Sequence, residues 1–594
     1  MVLMVSSYNL TLIDSSHIHV RASTCLINGV PSNALHTNHQ ANEGDIIHVQ
    51  VTNKNPFMGT SIHWHGMHQR GTPYMDGVAA VTQCQLQPLG SQNFTFEAYP
   101  PGTHFWHGHF GMDIADGMAG PIIIHPQSPE PFEYDEDVVI FLQDFWLTTG
   151  EQQQVGLLSK PSLWVGEPQS ILMGGKGLAS KCYATSEETI GCIEGCGEDL
   201  FEQLMVVRVV KGKVYRLRFI QASSVEAYNI AVKSHNLTVV EVEGTNIIPV
   251  DCDSFNIGAG QRFSALLTAD QEPGSYWLDA SIAERDYPTL FGRVIIQYVE
   301  TEDEVPGALP LHPIWNATGG GYNSDEWIGA KTLDPSSYPE YSALTASQNE
   351  IKRYVLVTTQ NHDADGGLVW GINNISFHFS STEPLIGSAV RAAREAGWPT
   401  EIPNTIDIPP TPPNVWNYSE TDQSYPALGS KGASIIPVNK GEVIEIILQN
   451  TYDLGNVSDI HQWHMHGHSF WVVGQGSGVW SEEDVSSYNL VNPLLRDTIN
   501  QWPLGWSAIR LPMTNPGAWF FHCHIAPHLM TGMASVIVVQ PDLIEKNTEN
   551  VQVCSGSDSM GYVELAETSG SARQSRLSMA VIYALVPSLL FVCM

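Results

Sequence analysis

The chain has 594 residues, a formal net charge of −35, and 43% hydrophobic against 15% charged residues. This length supports three or four domains with good cores, and the composition excludes a disordered chain. The excess of acidic residues argues against nucleic-acid binding, because phosphate contacts need clusters of Lys and Arg. We interpret the charge as a solubility feature of an extracellular surface.

Glycosylation sequons and cysteines favour a secreted glycoprotein with disulfide bonds, because nine cysteines accompany seven sequons. The first residues, MVLMVSSYNLTL, lack the basic region and the long apolar run of a signal peptide. Either the true start lies elsewhere or the protein stays inside the cell. The sequons begin at Asn9, Asn93, Asn236, Asn316, Asn374, Asn417 and Asn456.

Short apolar or alternating runs, separated by Gly, Pro, Asn and Asp, predict an all-β chain. Helical periodicity is scarce. Examples in chain order are DIIHVQVTN, VYRLRFIQ, FSALLTA and VIEIILQN. Runs of this kind are typical of β-sandwiches or Greek-key barrels.

A repeated pattern predicts three related β-domains. EGDIIHVQVTN precedes IHWHG near the start, KGEVIEIILQN precedes HQWHMHGH near the end, and KGKVYRLRFIQAS lies between them without histidines. We therefore expect domains at 1–125, 126–345 and 346–545, with metal-binding segments in the first and the last, and a tail at 546–594. The acidic stretch 301–347, rich in Pro, Gly and Ser, is expected to be a linker or a long surface excursion.

The C-terminal end predicts attachment to a membrane. Residues 577–594 carry no charge and follow the small, polar stretch TSGSARQSR. That order is typical of a GPI-attachment signal, and a C-terminal membrane anchor is the alternative. We therefore expect a cell-surface location.

Four His-x-His pairs predict a large metal site. Side chains two apart in a strand point to the same face, so each pair can present two imidazoles to one site. The four pairs hold eight of the 23 histidines and are flanked by strand-like residues. They are His63 and His65, His107 and His109, His464 and His466, and His522 and His524, and together they are numerous enough for three copper ions.

A cysteine between two of these histidines predicts a second metal site. Cys523 lies between His522 and His524, so on a strand its side chain points to the opposite face. His461 differs in parity from His464, so it is expected on the thiolate side. A thiolate, two imidazoles and a distant methionine form the donor set of a blue copper site. The predicted donors are Cys523, His461, His528 and axial Met533.

The two predicted sites together suggest an oxidase with four copper ions. A thiolate copper accepts one electron at a time, whereas dioxygen needs four electrons to become two waters. A covalent Cys–His path from one copper to three others supplies that number. Zinc binds the same ligand types but is redox-inactive and favours closed four-ligand sites, so it explains the cluster poorly.

Four longer motifs resemble the copper segments of the multicopper oxidase family, in its ascorbate oxidase and laccase branch. They are IHWHGMHQRGTPYMDGVAAVTQC, PPGTHFWHGHFGMDIADGMAG, HQWHMHGHSFWVVGQG and NPGAWFFHCHIAPHLMTGM. The resemblance runs from about Glu43 to Val539 and implies three consecutive cupredoxin-like (plastocyanin-like) Greek-key barrels. The implied ligands are His461, Cys523, His528 and Met533 for type 1 copper, His63 and His464 for type 2, and His65, His107, His109, His466, His522 and His524 for the type 3 pair.

The resemblance also implies roles near the copper ions. SKPSLWVGEPQ and GGLVWGINNISF resemble stretches with tryptophans beside the type 1 pocket, here Trp164 and Trp370, although core aromatics are the alternative. These rings would stack on a flat reductant while His528 receives the electron. Asp76 matches an acidic residue near the water channel, which suggests a proton relay; a turn-forming Asp before Gly77 is the alternative.

Disulfide pairings follow from the same resemblance. It implies Cys84 with Cys554, Cys182 with Cys192, and Cys25 with Cys196, although the sequence by itself leaves the connectivity open. The stretch LINGVPSNALHTNHQ departs from the family's usual opening strand, so the N-terminal edge is not defined by the resemblance.

Three functional hypotheses follow. The first is a copper oxidase that takes single electrons from phenols, ascorbate or similar small reductants and reduces dioxygen to water. A ferroxidase would need carboxylates beside the type 1 histidines, and the acidic run SEEDVSS (481–487) could supply them. A non-catalytic, surface-anchored relative in wall or matrix assembly is the third, and the presence of all twelve ligand residues argues against it.

Overall fold

The structure is a computed structural model. It describes the backbone of residues 5–13, 24–27 and 30–31, and residues 39–177, 204–283, 290–300, 329–378, 383–408, 430–544 and Cys554. Residues 1–561 form one compact unit, and the second unit, 562–594, lies outside the described residues.

Two sheets form the N-terminal part. Their strands are β1 (Val5–Ile13), β2 (Thr24–Ile27), β3 (Val30–Pro31), β4 (His39–Asn42), β5 (Ile46–Asn53), β6 (Ile62–His65), β7 (Ser91–Glu97), β8 (Gly102–Gly108) and β9 (Ala119–His125). The strand orders are β3-β2-β1-β5-β7 and β4-β9-β8-β6. Alternate residues of β5 are buried. Val49 and Val51 of this strand pack in the core with Trp64 and with Phe94 and Phe96 of β7.

Two further sheets form the middle part. Their strands are β10 (Glu136–Phe145), β11 (Ser170–Met173), β12 (Met205–Val210), β13 (Val214–Gln221), β14 (Tyr228–Val232), β15 (Leu237–Val242), β16 (Thr245–Cys252), β17 (Ser254–Ile257), β18 (Arg262–Thr268), β19 (Ser275–Ile282) and β20 (Phe291–Val299). The orders are β11-β10-β13-β18-β15-β16 and β12-β20-β19-β14-β17. Their facing side chains, including Leu217, Phe219 and Ile230, form one core.

The C-terminal part is built on a thirteen-stranded sheet. Its strands are β21 (Ile351–His362), β22 (Leu368–Ile372), β23 (Ile375–Phe377), β24 (Thr405–Asp407), β25 (Ser430–Val438), β26 (Val443–Gln449), β27 (His461–Met465), β28 (Phe470–Ser477), β29 (Leu494–Arg496), β30 (Thr498–Gln501), β31 (Gly505–Pro512), β32 (Gly517–Cys523) and β33 (Ala534–Val539). The order is β29-β28-β31-β26-β21-β22-β23-β25-β33-β32-β27-β30, and β24 pairs with β25.

Helices are few and short in the described residues. The α-helices are α1 (Gly150–Leu157), α2 (Ser342–Thr345), α3 (Leu385–Ala396) and α4 (Ala526–Met530). Single 3₁₀ turns or short 3₁₀ helices span Pro73–Met75, Asp113–Asp116, Pro335–Ser337, Pro339–Tyr341, Gln348–Glu350, Glu482–Ser487 and Pro541–Leu543. In the described part of the chain, no helix has the length and apolar character needed to cross a bilayer.

The all-β prediction is confirmed, whereas the domain boundaries after residues 125 and 345 stay predictions. Of the expected linker, 301–328 lies outside the described residues, and the part that follows contains short helical turns between Pro335 and Thr345. The predicted disulfide between Cys84 and Cys554 is present. The other predicted pairs involve side chains outside the described part: Cys25, Cys182, Cys192 and Cys196.

The sequons differ in accessibility. Asn93, Asn236 and Asn456 are exposed. Asn374, by contrast, is buried and accepts a hydrogen bond from Asn361 Nδ2 at 3.1 Å, so the folded protein has no room for a glycan at this position. Three sequon asparagines have side chains outside the described residues: Asn9, Asn316 and Asn417.

Candidate metal centres

Two pairs of antiparallel strands carry five of the eight paired histidines, and His109, His466 and His524 follow directly after the last residue of their strands. In the N-terminal part β6 lies beside β8, with His63 opposite His107. In the C-terminal part β27 lies beside β32, with His464 opposite His522. Because alternate residues of a strand share a face, each strand can turn both of its histidines toward the same side.

The two strand pairs bring their imidazoles together in a buried cluster. His63 Nε2 lies 3.4 Å from His464 Nε2, which joins the N-terminal and the C-terminal parts. His522 Nε2 lies 3.1 Å from His466 Nε2 and 3.4 Å from His109 Nε2. His524 has its ring centroid 5.1 Å from each of the rings of His65 and His107. We call these eight residues the histidine cluster.

The histidine cluster fits a group of metal ions. Three sets of histidines each offer three ring nitrogens within 4.8 Å of one another: His63, His464 and His466; His63, His65 and His107; and His109, His466 and His522. Several buried ring nitrogens have no hydrogen-bond partner among the described residues, and a metal would satisfy them. They are His65 Nδ1, His107 Nε2, His109 Nδ1, and both nitrogens of His524.

Burial favours the neutral imidazole at seven residues of the cluster. Desolvation is the largest cause, because the interior disfavours the charged ring and therefore lowers the pKa. A neutral imidazole has the lone pair that a metal needs. The pKa is lowered from its usual 6.5 for His65, His107, His109, His464, His466, His522 and His524.

A thiolate site lies on the other face of β32. Cys523 Sγ is 3.7 Å from His461 Nδ1 and 3.7 Å from His528 Nδ1, and the two nitrogens are 3.2 Å apart. All three residues are buried, and burial lowers the pKa of His461 to about 3. Met533 follows α4, and its carbonyl accepts the Cys523 N–H at 3.1 Å. The sulfur and the two imidazole nitrogens match the strong donors of a thiolate copper site.

The chain itself joins the two sites. Cys523 lies between His522 and His524 in sequence. Its sulfur contacts His461 and His528, whereas its two sequence neighbours belong to the histidine cluster. His461 and His464 are likewise directed to different sites by β27. One strand thus connects a thiolate site to a cluster of imidazoles through a few covalent bonds.

The two predicted tryptophans lie beside the thiolate site. The ring of Trp370, on β22, is 4.6 Å from that of His528 and 5.3 Å from that of His461. The ring of Trp164 is 6.1 Å from His528. Trp370 is only 6% exposed, whereas Trp164 is 48% exposed. Trp370 is therefore buried like a core aromatic residue, as the alternative interpretation expects. Trp164 is too exposed to be a core residue.

Asp76 is a buried neighbour of two cluster histidines. Its Oδ2 lies 2.8 Å from His466 Nδ1, and its carbonyl lies 2.8 Å from His63 Nδ1. It also ends the 3₁₀ turn Pro73–Met75, and Gly77 after it has a φ of +89°. Asp76 therefore forms a turn, and that turn brings its carboxylate to the cluster, whereas its role as a proton relay stays a prediction.

Two residues at the cluster were missed by the sequence analysis. Asp497 Oδ1 lies 3.4 Å from His65 Nε2 and 3.6 Å from His464 Nδ1. Thr498 Oγ1 lies 3.2 Å and 3.0 Å from the same two nitrogens. No sequence spacing reveals them, because β30 reaches the cluster only by pairing with β27.

The acidic run proposed for iron binding lies away from the thiolate site. Glu482 pairs with Arg353, near the start of β21, at 2.8 Å. Trp370 pairs with Gln360, near the end of the same strand. Gln360 lies seven positions after Arg353 on β21, which is about 23 Å at the rise of a strand.

Comparisons with known proteins agree with this geometry. Three family models described as multicopper oxidase match residues 15–129, 136–301 and 407–543. They give three domains in succession, as in the predicted cupredoxin-like architecture.

Two groups of relatives are similar over most of the chain. L-ascorbate oxidase from Cucumis sativus is 36% identical over 509 residues, covering 84% of this chain and 83% of the relative. Laccase-1 from Cryptococcus neoformans var. grubii is 30% identical over 532 residues, covering 85% of this chain and 76% of the relative.

Solved structures share the fold. The crystal structure of Fet3p, titled a multicopper oxidase that functions in iron import, has a TM-score of 0.69 at 19% identity and covers 96% of this chain and 100% of that one. A laccase from Botrytis aclada has a TM-score of 0.67 at 23% identity, over 94% and 95%. Given the sequence relatives and the matched family models, the chain belongs to the multicopper oxidase family and is a copper-dependent oxidoreductase that oxidises small reductants with dioxygen.

Proposed function

We propose that the protein holds four copper ions, one at the thiolate site and three in the histidine cluster. The reductant delivers electrons singly at the thiolate site, and dioxygen is reduced to water at the cluster. The observation that carries this proposal is the position of Cys523, whose sulfur belongs to one donor set while its two neighbours belong to the other. A mononuclear copper protein would have no use for the second set.

The ligand assignment follows the same contacts. His461, Cys523, His528 and Met533 would hold type 1 copper, and His63 and His464, whose Nε2 atoms are 3.4 Å apart, would hold type 2. The remaining six histidines would hold the type 3 pair. When bound, copper supplies reversible one-electron transfer at the thiolate site and the electrons that dioxygen needs at the cluster.

The protein's own residues orient these donors. Asp76 accepts from His466 Nδ1, and the Asp497 carbonyl accepts from His464 Nδ1, so the opposite ring nitrogens face the cluster. Such partners fix the tautomer and the orientation of a ligating imidazole. The Asp76 carboxylate also lies where it could pass protons to the site of oxygen reduction.

We propose ascorbate or a similar flat enediol or diphenol as the reductant. His528 is buried, so an electron donor must approach through the side chains that cover it. Trp164 is exposed and offers an aromatic face 6.1 Å from the His528 ring, which suits a flat, electron-rich molecule. The L-ascorbate oxidases from Cucumis sativus and Brassica rapa subsp. pekinensis are each 36% identical to this chain, against 30% for Laccase-1 from Cryptococcus neoformans var. grubii, and this difference supports ascorbate as the first reductant to test.

Ferroxidase activity is the weaker candidate. The likeness to Fet3p concerns the fold, and the acidic run at 481–487 lies far along β21 from the thiolate site. Oxygen consumption with ascorbate, a diphenol and Fe(II) separates the three possibilities. We expect ascorbate or the diphenol to be oxidised faster than Fe(II).

The decisive experiment compares Cys523→Ser with Cys252→Ser. The wild-type protein should contain about four copper ions, as the twelve donors imply, and absorb near 600 nm from the thiolate copper. Cys523→Ser should lose this band and nearly all turnover. Cys252 is half-buried on β16, with its sulfur 3.6 Å from the Leu237 carbonyl. Cys252→Ser should therefore leave the absorption band and the turnover unchanged. Full turnover of Cys523→Ser would refute the proposal.

We also propose a glycosylated protein attached to the cell surface. Exposed sequons at Asn93, Asn236 and Asn456 support glycosylation, and the uncharged residues 577–594 support a GPI signal or a membrane anchor. Release of activity from intact cells by phosphatidylinositol-specific phospholipase C would indicate a GPI anchor. Activity that stays with the membrane after this treatment would indicate a spanning anchor instead, and activity free in the medium would contradict both.

A further inference from the structure

The middle part of the chain supplies none of the twelve predicted ligands, but one of its turns packs against the histidine cluster. This turn, GAGQR at 258–262, joins β17 to β18. Gly260 has a φ of +85°, and a Cβ there would lie 2.8 Å from Cδ2 of the His524 ring. Gln261 Nε2 donates to the Thr498 carbonyl at 3.2 Å. The turn therefore forms one wall of the cluster.

Arg262 is the central residue of this wall. Its fully buried guanidinium donates from Nη1 and Nη2 to the two oxygens of Asp497, at 2.7 and 2.6 Å. Nε donates to the Thr103 carbonyl at 3.0 Å, and Nη1 also donates to the Gly260 carbonyl at 3.1 Å. Nη2 lies 3.3 Å from His104 Nδ1. The planar fork of arginine suits such a bidentate pair, whereas lysine offers a single point charge.

Through Asp497, this guanidinium reaches ligands from both ends of the chain. Asp497 Oδ1 contacts Nε2 of His65, on β6, and Nδ1 of His464, on β27. Thr103 belongs to β8, the strand that carries His107. One side chain of the middle part therefore connects the N-terminal and C-terminal halves of the cluster.

The pairing also balances charge. An unpaired guanidinium this close to the cluster would repel cations, and an unpaired buried carboxylate would be strongly destabilising. The Arg262–Asp497 pair is neutral as a unit and directs a carboxylate oxygen at two ligand rings. Glu243 holds the same segment from behind, because its Oε2 accepts the N–H groups of Asp497 and Thr498, each at 2.8 Å.

We propose that Arg262 is a positioning residue of the histidine cluster: it fixes Asp497, and thereby His65 and His464, for binding the type 2 and type 3 copper ions. This inference rests on the proposed function. Loss of the guanidinium should weaken copper binding at the cluster by roughly 10–100-fold, the usual effect of removing a partner that orients ligands. The thiolate site, on the other face of β32, should keep its copper.

The test compares copper binding in Arg262→Gln and Arg262→Lys with that of the wild-type holoprotein. Copper is removed stepwise with the Cu(I) chelator bathocuproine disulfonate under reduction, and the protein is then reoxidised. Type 2 copper is followed by its EPR signal, the type 3 pair by absorption near 330 nm, and type 1 copper by the band near 600 nm. We expect Arg262→Gln to lose type 2 copper and the type 3 pair at a lower chelator concentration than the wild type does, and to keep type 1 copper. The effect should be smaller in Arg262→Lys.

Arg293→Gln is the matched control. Arg293 is also a buried arginine of the middle part, and its Nε donates to Asp279 at 2.9 Å; the two residues lie on β20 and β19, in the sheet that does not contain β18. Equal loss of cluster copper in this control would overturn the inference, and so would wild-type chelator resistance in both Arg262 variants. A wild-type protein without copper would overturn the proposed function and this inference with it. If Arg262→Gln does not fold, Arg262→Lys against Arg293→Lys gives the same comparison.

Discussion

Met533 is the proposed axial donor of the thiolate site. It is buried, its N–H donates to the His528 carbonyl at 3.0 Å, and its carbonyl accepts from Cys523 N at 3.1 Å. Two backbone hydrogen bonds to His528 and Cys523 therefore fix the position of its main chain beside the thiolate site. Metal-site potentials depend on this axial ligand.

Replacing Met533 with Leu should raise the type 1 potential, because a thioether stabilises Cu(II) more than an alkyl group does. The measurement is a redox titration of the band near 600 nm. Met513→Leu is the control, since Met513 is equally buried in the same core but lies beside Glu442, with its N–H bonded to the Glu442 carbonyl at 2.8 Å. A potential unchanged in Met533→Leu would rule out the axial assignment.

Asp76 is expected to act on the oxygen side of the reaction. Asp76→Asn keeps the shape of the side chain but removes the proton acceptor 2.8 Å from His466 Nδ1. Reoxidation of the reduced enzyme by dioxygen should slow by about 10²-fold, the lower end of general acid–base effects. Anaerobic bleaching of the blue band by ascorbate should keep its wild-type rate. Equal slowing of both half-reactions would point to a structural role instead.

At the scale of elements, the turn after Pro73–Met75 determines whether β6 can meet its partner strand, β8. Gly77 has a φ of +89°, and a Cβ there would lie far inside the contact distance of the Ile62 carbonyl oxygen. Since Ile62 begins β6, any side chain at this position would displace the strand that carries His63 and His65.

Gly77→Ala should therefore destabilise the protein more than Gly71→Ala. Gly71 has a similar φ of +73°, but among the described residues no atom lies within 4 Å of the point that an added Cβ would occupy. The left-handed backbone alone costs about 1–2 kcal/mol with alanine, and Gly77→Ala adds a steric clash and should also lose cluster copper. Thermal unfolding and metal analysis measure the two effects. Equal losses in the two variants would contradict this account.

At the scale of the whole molecule, two buried histidines outside the proposed ligand set, His68 and His104, are expected to make stability depend on pH. Burial is the largest cause that lowers the pKa of His68 to about 3 and of His104 to about 4, from 6.5 in an unfolded chain. Between the pKa of each buried histidine and the unfolded value of 6.5, the unfolded chain binds more protons than the folded one. The contribution of these neutral histidines to the free energy of unfolding is therefore complete above pH 6.5. It is lost as the pH falls toward 4 for His104 and toward 3 for His68.

At pH 5 each of these histidines should cost about 2 kcal/mol of the free energy of unfolding, relative to neutral pH. Urea unfolding of the holoprotein between pH 7.5 and 5 measures this loss. His68→Gln, which keeps a polar group near Ser469 Oγ, should lose less stability over the same range. An identical pH dependence in the variant would show that His68 does not contribute.

Much of the thiolate site and of the strand pattern could be predicted from local sequence. Strand alternation by itself separates Cys523 from His522 and His524, and it turns His461 away from His464. The all-β class follows from short runs punctuated by turn residues. Asp497 and Thr498 could not be predicted in this way, because their contact with His65 spans more than 400 residues of chain.

The sequence by itself therefore determined the fold class and the family and pointed to the proposed donor residues, because these depend on residue types at short, regular spacings. The tertiary structure decided which donors face one another, that Asp76 reaches His466, and that Arg262 links the two halves of the cluster. It also excluded a glycan at Asn374 and separated the acidic run near Glu482 from the thiolate site. These facts depend on strand pairing across the whole chain, which no local pattern encodes.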